Sequence, residues 1–344
     1  ELDAPFLSNY VWSGFLQPID GLVEQKLLDD MTPSNIAQGT YAPDGKLYAT
    51  SLIDSTVVLY ASREQLESLN IRIPKGVDDA WTGEEFEAIL ETLSTAPGVK
   101  WPIDIFRGSG TKTEWIPYAY EPLLISSGCD LIGRETWTAA GTLDGEACVK
   151  AATMMTEWVK KGWVVPQSAG TNQFYAEGRP AALAWGGHWF YTEAVKAMGD
   201  DLIALPLPHF GEKGASPNGT WIYAISADAS DPELAGKFLS FMIQDPAYQE
   251  AYRGHSSFPG LNSFAAASPL YAPGGPMEVA FEQAAKTAVP RPPHPAYPAI
   301  TLAAQTAFTD MFDGADPQTE LTKAAEEIDA DIEDNDGYPP FGGN

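Results

Sequence analysis

Strand-length apolar runs alternate with helix-period segments along nearly the whole chain, and this alternation restricts the fold more than any other feature. Residues 47–60, rich in Leu, Ile, Val, Thr and Tyr, read as one or two extended segments interrupted at Asp54-Ser55. Residues 80–93 place Trp81, Phe86, Ile89, Leu90 and Leu93 at helical spacing, and Thr82 with Glu85 has the spacing of a capping box. Residues 144–161 repeat the pattern with Val149, Ala152, Met155, Trp158 and Val159, and Gly162 supplies the stop. Residues 181–184, 202–206 and 218–225 read as strands, whereas 232–244, 246–252, 277–288, 298–312 and 317–333 read as helices. The rhythm is that of an α/β protein, and 344 residues suffice for two domains.

Several function classes drop out at once. Forty-seven Asp+Glu against 20 Lys+Arg give a formal charge of −27, which repels polyanions and anionic membranes, so no nucleic-acid partner is expected. No run reaches the roughly 18 apolar residues of a membrane span. The four histidines, at 188, 209, 255 and 294, are too far apart for a helical metal pair, so neither a metal nor another cofactor is expected. Hydrolase elbows, phosphate loops and dinucleotide fingerprints are also missing from the sequence. Cys129 and Cys148 are either one disulfide, implying an oxidising compartment, or two buried thiols.

What stands out is where the aromatic residues fall. Two strand-like segments run into glycine-plus-tryptophan turns, Trp185-Gly186-Gly187-His188-Trp189 and Asn218-Gly219-Thr220-Trp221. Residues 101–130 add Trp101, Trp115, Tyr118 and Tyr120 among Pro and Gly. Trp81 and Trp158, on helix faces, read as core. Aromatic rings at strand ends, with nearby carboxylates and amides, suit a sugar, whose C–H faces stack on indole while its hydroxyls need fixed donors and acceptors. A carboxylate pair drawn from Asp54, Glu114 and Glu121 is the enzymatic alternative, a glycosidase acid and base.

Taken in order, these segments resemble the extracellular solute-binding protein family 1 of bacterial ABC importers, the sugar-binding group that includes maltose-binding proteins. The resemblance is carried by Leu2-Asp3-Ala4-Pro5 through Asp20, Phe174-Tyr175-Ala176-Glu177-Gly178-Arg179 through Gly187, and Asn218-Gly219-Thr220-Trp221. It continues through Pro232-Glu233-Leu234-Ala235 with Phe238-Leu239, then Arg291-Pro292 and Pro295-Ala296-Tyr297. Family members begin with a βαβ unit ahead of the segment matching Asp3, and the sequence reads as lacking that N-terminal portion of lobe 1.

The resemblance implies an α/β, two-lobe periplasmic-binding-protein fold of type II, the Venus-flytrap, with hinge-crossing strands. Lobe 1 would comprise residues 1–54 and 221–270, lobe 2 residues 55–220 and 277–335, with 336–344 a poorly ordered tail. It implies a non-enzymatic, monomeric, extracytoplasmic protein, periplasmic or a cell-surface lipoprotein. Such a protein captures a mono- or small oligosaccharide between the lobes and delivers it to the transmembrane subunits of an ABC permease. By matching segments, Asp3 and Asp54 would accept hydroxyls, Trp115 and Tyr118 would form stacking walls, and Gly187 with His188 would contact ligand at the turn. Trp185 belongs to the same turn, Trp221 would close over the ring, and Arg291 and Tyr297 would reach in from the C-terminal part. The alternatives are an enzyme on the same fold, thiaminase-like or glycosidase, and a binder of an anionic sugar derivative held by Arg107, Lys112 or Arg291.

Overall fold

The computed structural model describes residues 1–107 and 113–341 and contains two principal sheets. In the first, the strand Trp221–Ser226 is the centrepiece, pairing antiparallel with Leu2–Asp3, Leu16–Gln17 and Ala49–Thr50. The second has the order Leu202–Leu205, Val57–Ser62, Ala181–Gly187, Trp101–Asp104, and only its last pair is parallel. Val57–Ser62 and Ala181–Gly187 are buried along their whole length, as the inner strands of a sheet covered on both faces must be.

Separate apolar cores accompany the sheets. Ile19, Leu27, Leu52, Ile225, Leu239, Ile243 and Phe264 pack around the first, in lobe 1. Trp81, Phe86, Leu90, Trp158, Tyr297, Phe308 and Ile328 lie in the larger core of lobe 2. The helices form where apolar period and caps coincide. In Gly83–Ser94 the Thr82 hydroxyl accepts the Glu85 amide at 3.1 Å, while Phe86, Ile89, Leu90 and Leu93 turn inward. Pro232–Gln244 and Pro317–Asp334 start on the capping carboxylates of Asp231 and Asp316 with Pro in the first turn.

Short ladders stand between the two cores. Ile53–Asp54 pairs with Phe258–Pro259, and Ser216–Asn218 runs parallel to Ala288–Pro290, with Asn218 opposite Pro290. These ladders hand the chain from one sheet to the other just before Val57 and just before Trp221, which brings Asp54, Gly219 and Arg291 to the same gap. No helix among the described residues is long and apolar enough to cross a membrane.

One expectation changes and one open alternative is decided. The end of the chain is packed as far as residue 341: Tyr338 is buried, its hydroxyl donates to Asp331 at 2.7 Å, and Trp12 donates to the Pro339 carbonyl at 3.0 Å. Residues 342–344 lie outside the described part. The two cysteines, left open by the sequence, form a disulfide between Cys129 and Cys148.

Candidate functional site

The gap between the lobes holds a cavity of about 350 Å³ lined by side chains from both. Lobe 1 and the crossing strands supply Asp3, Asp54 and Trp221; lobe 2 supplies Glu114, Trp115, Tyr118, His188 and Trp189; Arg291 closes one end.

Asp54 is the polar centre of the hinge. It is buried and accepts from the Ser34 hydroxyl, from Gln38 Nε2 at 3.1 Å, from Asn218 Nδ2 at 3.0 and 3.1 Å, and from the Ser55 amide at 2.7 Å. Burial pushes its carboxyl above the ordinary aspartate range, and these donors pull it back. Ser34 and Gln38 reach it because four residues apart on the helix Pro33–Gly39 they share one face.

Arg291 makes a second cluster. Its Nη2 and Nη1 donate to Asp3 at 2.7 and 2.8 Å, and Nη1 also donates to Glu114. Glu114 accepts the Tyr297 hydroxyl on the same oxygen, and on the other Thr301 Oγ1 at 2.6 Å. Gly219 is required here by close approach: a Cβ on it would lie 2.6 Å from Arg291 Nη2.

Tyr118, Trp115 and Trp189 form one continuous aromatic wall of the cavity. Tyr118 and Trp189 stack with centroids 6.1 Å apart and 29° between planes, and Trp115 meets Trp189 edge-on at 6.1 Å. Trp115 is fixed by its indole N–H to the Ile105 carbonyl at 2.8 Å, and Tyr118 by its hydroxyl against Ser55 Oγ at 2.8 Å. Trp189 remains 40% exposed and Trp221 57% exposed, and both line the same cavity. His188 is buried beside them; desolvation pushes its pKa down to about 3, so its ring is neutral at physiological pH.

Of the residues expected to touch ligand, Asp3, Asp54, Trp115, Tyr118, His188, Trp221 and Arg291 line this cavity, whereas Trp185, Gly187 and Tyr297 do not. The strand ends at Gly187 rather than at Ala184, so Trp185 falls inside it, 3% exposed, with its indole N–H on the Ala119 carbonyl at 3.0 Å. Gly187 is needed because a Cβ would collide with the Trp189 ring, and its carbonyl accepts the Tyr60 hydroxyl at 3.1 Å. Tyr297 is fully buried and bears on the cavity through its hydroxyl on Glu114 and its ring beneath the Arg291 guanidinium. Ser55 and Thr220, within breaks the sequence did mark, also line the cavity, as do His255 and Ser257, whose local pattern marks no site. Glu114 was legible only as a carboxylate beside an aromatic residue.

The geometry bears on the alternatives. Glu121 is turned away into an ion pair with Arg134 at 3.0 Å, and Cys148 is tied up in the disulfide. Both oxygens of Asp54 and of Glu114 accept protein donors. Arg107 packs over Phe312 at 4.9 Å and pairs with Asp313 at 3.4 Å, outside the cavity. Lys112 lies outside the described residues. No cluster of three or more metal-ligating side chains occurs among the described residues.

Comparison with known proteins agrees with this architecture. The maltodextrin-binding protein MdxE of Bacillus subtilis is 25% identical in a 262-residue alignment that covers 70% of this chain and 58% of that protein. The chain thus matches less than two thirds of that curated relative. Among solved structures, the GacH receptor of Streptomyces glaucescens, determined unliganded and with acarbose, is 22% identical. It aligns over 96% of this chain and 81% of its own, with a TM-score of 0.73. A solute-binding protein from Thermotoga lettingae bound with α-D-tagatose is 21% identical over 96% and 83%, with a TM-score of 0.77. These structures share the two-lobe fold. The sequence model of bacterial extracellular solute-binding proteins spans residues 1–277, so this chain belongs to that family of binding proteins rather than to a family of enzymes.

Proposed function

We propose that the protein captures an uncharged carbohydrate, a mono- or small oligosaccharide, in the interlobe cavity and passes it unaltered to the transmembrane subunits of an ABC permease. The observation that carries the reading is the pair of exposed indoles, Trp189 and Trp221, contributed to one cavity by different lobes. A sugar ring between them would offer both lobes an apolar face, while its hydroxyls meet Ser55, Ser257 and the ring of His188. Closure of the lobes on such a ligand gives a shape a permease can distinguish from the empty protein. The maltodextrin-binding relative and the ligand-bound neighbours support a carbohydrate.

Charge supports an uncharged ligand over an anionic one. Both terminal nitrogens of Arg291 are occupied by Asp3 and Glu114, so an incoming anion would have to displace carboxylates already in place. We place the protein outside the cytoplasm, as a monomer, anchored as a lipoprotein or free in a periplasm. Isothermal titration with a panel of neutral, acidic and amino sugars at 50 and 500 mM NaCl tests the reading. Saturable binding of a neutral sugar with little salt dependence is expected; absence of binding across the neutral panel, or binding that collapses with salt, would overturn it.

A further inference from the structure

The loop closed by the disulfide has no place in the cavity, yet one of its side chains reaches the segment that does. Residues 127–145 run between the helices Trp115–Ser126 and Glu146–Lys160, stapled by Cys129–Cys148 and narrowed by the bridge between Gly133 and Thr138. From this loop Arg134 directs its guanidinium inward. Nε donates to Asp130 at 2.6 Å, Nη2 to Glu121 at 3.0 Å, and Nη1 to the Pro290 carbonyl at 2.6 Å.

The placement closes a circuit. Glu121 is buried midway along the helix Trp115–Ser126, and Pro290 is the residue before Arg291. Arg291 returns to the same helix at its start, through Glu114. Two arginines therefore tie one cavity-wall helix to one strand end, Arg134 from behind and Arg291 from the cavity side. Because the peptide unit is planar, fixing the Pro290 carbonyl oxygen also fixes the plane that carries the Arg291 nitrogen. The forked guanidinium meets three acceptors at once, a geometry that an ammonium group does not reproduce.

We propose that Arg134 is a positioning residue for ligand binding: by holding the Pro290 carbonyl against the wall helix it sets the place of Arg291 in the cavity, with the Cys129–Cys148 bond anchoring its loop. The effect on binding rests on the reading of the cavity as the ligand site; the positioning itself does not.

Amide hydrogen exchange on the unliganded protein therefore comes first. Arg134→Gln is expected to speed exchange of the His294, Ala296 and Tyr297 amides at least tenfold while leaving the strand Val57–Ser62 unchanged. Arg134→Lys, which keeps the charge near Glu121 and Asp130, should restore part of the protection. The exposed Lys196→Gln is the control and should change nothing. Titration with maltotriose, and with any tighter neutral sugar from the panel, should then show weaker binding for Arg134→Gln and also for Arg134→Gln/Glu121→Gln, which leaves no buried carboxylate without its cation. A Cys129→Ser/Cys148→Ser protein should lose affinity in the same direction, and adding Arg134→Gln to it should cost less than in the parent. Unchanged exchange at 294–297, or exchange raised evenly throughout lobe 2, would overturn the proposal. Failure of every sugar to bind would count against the cavity reading alone, with the exchange result still deciding the role of Arg134.

Discussion

Trp221 is the clearest single-residue test. Its ring is more than half exposed, so Trp221→Ala removes little packing and should leave stability within about 0.5 kcal/mol of the parent. A stacking contact contributes about 1 kcal/mol or more, so sugar affinity measured by titration should fall at least about fivefold; unchanged affinity would remove Trp221 from the site. His188 makes a different prediction. Its folded-state pKa is pushed down to about 3 from 6.5, so as pH falls between these values the unfolded chain takes up a proton that the folded ring refuses. Stability should therefore be unaffected by this group above pH 6.5 and decline through it as pH falls toward 3. In urea unfolding followed against pH, His188→Asn should show a shallower decline over that window than the parent. At this scale the sequence disclosed residue types better than contacts. Asp54 and Trp221 could be picked out because each sits beside a break in an extended run. Ser34, Gln38 and Asn218 hold Asp54 from two distant elements, and no local spacing announces that meeting.

Among the elements, legibility followed one-sidedness. The helix Gly83–Ser94 was readable because four apolar residues turn inward while Glu84 and Glu91 face water. The helix Trp115–Ser126, which builds the cavity wall, was not: ten of its 12 residues are buried, so it has no polar face to set a period, and it contains Pro117 and Pro122. The stapled loop that follows it predicts its own energetics. Removing a cross-link between positions 19 residues apart releases a loop whose closure entropy corresponds to about 3 kcal/mol. Cys129→Ser/Cys148→Ser should lower unfolding free energy by roughly that amount, read by denaturant titration under non-reducing conditions; a change within error would mean that Asp329, which accepts the Ala139 and Ala140 amides at 2.6 and 2.9 Å, already pins the loop. The helix Pro232–Gln244 presents a different exposure. Leu234, Phe238 and Phe241, at i, i+4 and i+7, are 62%, 61% and 66% exposed and form an outward apolar stripe. Phe238→Glu/Phe241→Glu should reduce binding of a hydrophobic dye, read by its fluorescence, with sugar affinity unchanged.

For the whole molecule, the question is what joins the lobes when no ligand does. The ladders at Asp54 and Asn218 are short, and one further link is ionic: Asp3 sits on the lobe 1 strand paired with Trp221, while its partner Arg291 is held to the lobe 2 helix through Glu114. A second link is apolar, since Phe341 packs between Tyr41 on one side and Trp137 with His294 on the other. Arg291 is only 4% exposed at its side chain, so its pair with Asp3 is shielded from salt, and breaking it would leave a buried cation with only Glu114 as its charged partner. Asp3→Asn keeps the shape and one acceptor but removes the charge, which should favour separation of the lobes without unfolding either. Small-angle scattering of the unliganded variant should give a larger radius of gyration than the parent. Saturating sugar should bring both to the same closed value, and the variant should bind more weakly because part of the ligand's contact energy then goes into closing the gap. Equal unliganded radii in parent and variant would mean that the ladders and the other contacts across the gap, among them Phe341, Phe6 on Tyr297, and the Ser8 and Asn9 bonds to the Pro293 and Pro295 carbonyls, set the resting separation, and that the Asp3–Arg291 pair serves the cavity without governing the hinge.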